Sequence, residues 1–145
     1  MGTINGSIHH TKSQVSNKLR CSSSKLHFIG SKKVFQWGSL ETPEIDVINE
    51  EGAIDIRSLT FQNGIFRCNS FSSQKVLLSE KMDLKSKYAI NCRSIVTYGS
   101  ALALLKTKYL DLESISGKSE IEAEKVKIDR IWGSPNGINI RAKHV

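Results

Sequence analysis

The sequence predicts an all-β fold: a single-stranded β-solenoid, a triangular β-helix of roughly 16–19 residues per coil, with a β-sandwich as the alternative. Three observations predict it. Apolar and polar residues alternate with the two-residue period of a strand buried on one face. The alternating pairs recur as a unit. Bends rich in Gly, Asn and Ser separate them, while helical signals are scarce.

The alternation is clearest in Ile45-Asp-Val47, Ile54-Asp-Ile56, Leu59-Thr-Phe61, Met82-Asp-Leu84, Ile121-Glu-Ala123, Val126-Lys-Ile128 and Ile138-Asn-Ile140. In each, the outer residues point to one face and the middle residue to the other. The recurring unit is an apolar pair, a two-residue polar bend and a further alternating pair. It is cleanest in Ala53–Phe61, and returns with Phe66, Cys68 and Phe71, then with Ile90, Cys92 and Ile95, then with Ile121, Ala123, Val126 and Ile128. Leading positions at Leu19, Phe35, Ile54, Ile90, Ile121 and Ile138 are separated by 16, 19, 36, 31 and 17 residues. The two long intervals are near twice the others, so one step fits all of them. A single coil cannot bury its apolar side; stacked on neighbours about 4.8 Å away, it can.

Corners are expected at Glu50–Gly52, Gln62–Gly64, Tyr98–Ser100, Ser116–Lys118 and Gly133–Gly137. The stretch Ser100–Leu110 is the one ambiguous segment, since its Ala and Leu content suits a helix or two buried strands. No low-complexity linker divides the 145 residues. The expected organisation is a polar, basic N-terminal segment over 1–16 and one solenoid domain over 17–145.

Charge is uneven. Residues 1–33 carry Lys12, Lys18, Arg20, Lys25, Lys32 and Lys33 and no acid, whereas residues 34–145 hold fifteen Lys or Arg against fourteen Asp or Glu. This basic N-terminal surface suits contact with an anionic membrane surface. Nucleic acid fits less well, because the lysines are scattered and the only interleaved aromatics nearby are Phe28, Phe35 and Trp37. Three cysteines without Cys-x-x-Cys spacing argue against a disulfide framework or a closed zinc site, and for buried thiols in a reducing compartment. No apolar run approaches the roughly 18 residues of a membrane span, and no signal-peptide stretch is evident, so a cytoplasmic location is expected.

Catalytic and ligand-binding patterns are missing. There is no phosphate loop and no Gly-x-Gly-x-x-Gly. His9 and His10 are adjacent and so face opposite ways on a strand. Glu120, Glu122 and Glu124 alternate with Ile121 and Ala123, which reads as the solvent face of one strand rather than acid–base machinery. Trp37 and Trp132 read as core or end-cap residues. No enzyme activity, cofactor or metal is expected.

Ile4-Asn-Gly-Ser-Ile8 resembles the recurrent aliphatic-x-Gly-x-aliphatic opening of the bactofilins, and Glu120-Ile-Glu-Ala-Glu-Lys-Val-Lys-Ile128 resembles their later coils. The chain departs from that family in having few such glycine repeats and in its serines at 22–24. The resemblance implies a polymer-forming β-helical cytoskeletal protein that joins end to end without nucleotide, cytoplasmic or peripheral to the inner face of the membrane. The expected function is therefore self-assembly or scaffolding, with Ile138 and Ile140 of the last coil as the assembly interface. The alternatives are a surface adhesin-like β-repeat domain and a basic nucleic-acid-binding module.

Overall fold

The computed structural model describes residues 15–16, 19–20, 25–31, 33–132 and 137–144. Eight strands form one parallel sheet that winds on itself: β1 (Val15–Ser16), β2 (Leu19–Arg20), β3 (Lys25–Ile29), β4 (Val34–Thr97), β5 (Leu102–Lys106), β6 (Tyr109–Ser116), β7 (Lys118–Trp132) and β8 (Ile138–His144). Every pairing is parallel, and the chain makes about six turns of a β-solenoid. The ambiguous stretch after Ser100 is strand, divided between β5 and β6. Parallel stacking in a winding chain excludes the opposed sheets of a sandwich.

Registers give the coil length directly. Val15 stands on Gln36 and Lys25 on Glu44; Lys81 stands on Leu102, Leu102 on Lys118, and Ser119 on Ile138. These steps run from 16 to 21 residues, a wider range than the repeat suggested, because the corners vary. Between Val96 and Leu102 the chain uses five residues to turn; one coil later Gly117 alone joins Ser116 to Lys118.

Inward side chains stack in rows. One row is Leu84, Leu105, Ile121 and Ile140; another is Cys92, Leu112 and Ile128; a third is Ile95, Ile115 and Ile131. The leading positions chosen from sequence are inward-facing where described but do not share a row. Leu19 stands on Leu40, Ile90 on Leu110 and Ile121 on Ile140, while Ile138 covers Ser119. The repeated unit marks any junction of strand, corner and strand, and a coil has more than one such junction.

Corners are built in two ways. Through β4 the backbone stays extended while small polar side chains turn inward and take a nearby carbonyl. Thr42 Oγ1 donates to the Glu44 carbonyl at 3.0 Å, Asn49 Nδ2 to that of Ala53 at 2.9 Å, and Ser86 Oγ to that of Ala89 at 2.6 Å. After β4, glycine takes over: Gly99 and Gly117 have φ of 60° and 93°, where a side chain would be strained. Gly64, expected as a turn residue, does something else. It has no positive φ; a Cβ there would lie 2.7 Å from the Phe66 ring and 2.8 Å from that of Phe61. Its missing side chain makes room for aromatic packing.

Candidate functional site

Assembly was expected at the C-terminal coil, so the strand edge there is the first place to look. β8 lies over Ser119–Lys125 of β7. From Val126 to Trp132, β7 has a strand neighbour only on the β6 side among the described residues, and β8 has none beyond it. An uncovered parallel edge presents unpaired N–H and C=O groups along the solenoid axis.

The apolar rows end at the same place. Ile121 and Val126 are buried, whereas Ile128, Ile138, Ile140 and Ala142 are only partly covered, and Ile131 is 45% exposed. Ile138 and Ile140 therefore point into the core, packed on Ser119 and Ile121, and form part of an apolar end rather than a lateral patch. Sequence reasoning picked those two and missed Ile128 and Ile131. The signal was available for Ile128, in the alternating Val126-Lys-Ile128, but nothing in a linear pattern says which apolar positions are left only partly covered. Trp132, read as a core or end-cap residue, is 58% exposed beside them, whereas Trp37 is buried.

The basic N-terminal surface lies largely outside the described residues: Lys12, Lys18 and Lys32 are not among them, and Arg20 is described as backbone of β2. Lys25 is ion-paired to Asp46 at 2.8 Å, which raises its pKa through that hydrogen bond, and Asp46 also meets His27 Nδ1 at 3.3 Å. Lys33 is exposed. The neighbouring aromatics Phe28, Phe35 and Trp37 are buried and packed on one another, with ring centroids 4.6 and 5.7 Å apart. Rings so placed offer no platform for nucleic-acid bases.

Grooves run across successive coils. One, of about 700 Å³, is lined by polar side chains including Gln36, Asp55, Asn91 and Asp111, with Arg93 paired to Glu113 at 3.2 Å. The other, of about 910 Å³, carries Lys85, Lys87, Lys106 and Lys108 beside Tyr88, with Glu50, Glu51 and Glu124 on its walls. In the walls of these grooves Ser73 Oγ donates to the Arg57 and Lys75 carbonyls and Ser86 Oγ to that of Ala89. Burial pushes the Cys68 thiol up to about 11 and raises that of Cys92 further, which keeps both protonated and unreactive. Among the described residues no group of three or more His, Cys, Asp or Glu is placed to hold a metal ion, and no helix is long and apolar enough to cross a membrane.

Comparison with protein-family models finds no match, and neither the curated proteins nor the solved structures contain a significant match to this chain.

Proposed function

We propose that this chain is a non-enzymatic scaffold that joins end to end with copies of itself, a filament subunit of the bactofilin kind. The observation that carries this reading is the edge of β7 and β8, where, among the described residues, backbone without a strand neighbour and partly covered apolar rows coincide. A second coil of the same width and strand direction satisfies both at once. It supplies the missing hydrogen bonds and covers Ile128, Ile131, Ile138 and Ile140 with its own inward residues. A globular partner of unrelated shape meets one requirement or the other. The buried thiols fit a reducing cytoplasm, and the basic N-terminal segment gives such a filament a means of lying against an anionic membrane.

Negative-stain electron microscopy and sedimentation of the purified chain test the reading. Filaments one solenoid wide are expected, and Ile131→Arg or Ile140→Arg should shorten or abolish them with the β-type circular dichroism retained. A protein that stays monomeric across concentration and salt would sink the proposal. Filaments that tolerate both substitutions would move the contact away from this end.

A further inference from the structure

Residues 34–145 are close to neutral as a sum, with fifteen Lys or Arg against fourteen Asp or Glu, but winding polarises them. The register stacks four short stretches at one corner of the solenoid, 85–88, 106–109, 122–125 and 141–144. Lys85 stands on Lys106, Lys106 on Glu122 and Glu122 on Arg141, while Tyr109 stands on Lys125. Together these stretches carry seven Lys or Arg and two Glu, a charge of +5. The remainder of 34–145 carries eight against twelve. Lys85 directly on Lys106 opposes folding rather than helping it.

The two glutamates are already engaged, Glu122 with Lys106 at 3.3 Å and Glu124 with Lys143 at 3.8 Å. That leaves Lys85, Lys87, Lys108, Lys125 and Arg141, which are exposed and take part in no ion pair among the described residues. Arg67, beside them in the groove, is held by Asp83 at 3.1 Å, and Glu50 and Glu51 on the groove wall belong to an earlier coil. Five unpaired cations thus follow the solenoid axis over four coils, about 14 Å.

The same corner exposes aromatic rings. Ser86-Lys-Tyr88 and Thr107-Lys-Tyr109 repeat one coil apart, with the hydroxyl residue buried and the Lys and Tyr outside. Lys87 Nζ lies 5.2 Å from the Tyr88 ring centroid and Lys108 Nζ 5.4 Å from that of Tyr109. Tyr88 is 50% exposed and lines the groove of about 910 Å³. We infer that this corner binds single-stranded nucleic acid: the unpaired cations follow the phosphates, and a base stacks on Tyr88. A cationic groove set with exposed rings is what such a chain requires. An anionic bilayer matches the charges but spans a concave groove without entering it, and a sulfated glycan brings charge without planar bases. The inference does not depend on end-to-end joining.

Fluorescence anisotropy of the full chain with a labelled oligothymidylate of about 12 nucleotides tests this. With four of the five unpaired cations on phosphates, affinity should fall about fifty-fold between 50 and 200 mM NaCl. Lys85→Gln with Lys108→Gln should weaken binding and roughly halve the logarithmic salt slope. Lys75→Gln with Lys118→Gln, an equal loss of exposed charge away from the corner, should leave the slope unchanged. Tyr88→Ala should weaken binding at least about fivefold at the same slope, and Tyr88→Phe should not. All these side chains are exposed, so β-type circular dichroism should persist in every variant. No binding at low salt, equal losses from the two lysine pairs, or full affinity in Tyr88→Ala overturns the site. Heparin or phosphatidylserine vesicles held by the same lysines, with the oligonucleotide ignored, would overturn nucleic acid as the occupant.

Discussion

The coils from Phe28 to Phe71 and those from Val76 to Ile128 solve the same problem with different side chains. All five phenylalanines and Trp37 are buried in the first region, where Phe61 and Phe66, and Phe66 and Phe71, meet edge-on at 5.6 and 5.7 Å. The second region has no buried ring; Leu, Ile, Val, Met and Ala fill it. Their corners differ in parallel. The aromatic coils bend an extended backbone around inward Thr42 and Asn49; the aliphatic coils begin in the same way, at Ser86, and then turn at the left-handed Gly99 and Gly117. A solenoid tolerates both because each coil need match only its immediate neighbours.

The largest expected effect tests the core difference. Phe66→Ala leaves a cavity beside Gly64, where no side chain can move in, and should cost about 3–5 kcal/mol by urea denaturation. Leu112→Ala, between Cys92 and Ile128 near the open end, should cost about 2–3 kcal/mol because that end can relax. Equal losses would mean that ring content does not distinguish the regions.

The glycine corners give the next contrast. A Cβ at Gly117 would fall 1.6 Å from Thr97 Oγ1, whereas one at Gly99 meets nothing within 4 Å. Gly117→Ala should therefore cost about 3 kcal/mol and Gly99→Ala about 1 kcal/mol. Similar thermal shifts for both would show that backbone strain, not the Thr97 contact, sets the cost.

Thr97 and Thr107 are both buried, but only the first is used. Thr97 Oγ1 accepts from the Lys118 N–H at 2.8 Å and donates to the Ser116 carbonyl at 3.0 Å; Thr107 Oγ1 has no partner among the described residues. Thr97→Val should destabilise by about 1–3 kcal/mol, and the same change at Thr107 should be neutral or stabilise by about 0.5 kcal/mol. A loss at Thr107 in equilibrium unfolding would reveal a partner for that hydroxyl.

The smallest effect concerns the thiols. In a Cys21→Ser background, neither Cys68 nor Cys92 should react with a disulfide reagent at pH 8 until the chain unfolds. Because burial raises the folded pKa above the ordinary thiol value of 9.0, the folded state holds these protons more tightly. Their contribution is full below pH 9 and declines as pH climbs toward about 11 and beyond. Rapid labelling of the folded chain at pH 8 would contradict the buried rows.

Much of the architecture was legible because a solenoid writes its interior as a local pattern. Ile54-Asp-Ile56 and Val126-Lys-Ile128 each declare a strand with one buried face, and their recurrence declares winding. The rows were not legible. Whether Ile121 meets Ile138 or Ile140 depends on how many residues each corner consumes, and the corners before Leu102 and before Lys118 differ by four. Gly64 misled for a related reason: Gln62-Asn-Gly64 has turn composition, yet the ring of Phe66 occupies its space.

The sequence by itself determined that backbone pairing would be intramolecular and repeated, since alternating apolar residues must be covered and no single coil can cover its own. It also placed the excess positive charge in residues 1–33, because charge is counted without geometry. Only the tertiary structure decided register and which faces stack. Register is a sum of corner lengths, and corner length is set by what lies inside the turn: a captured carbonyl, a ring, or the hydroxyl of Thr97 from the coil below.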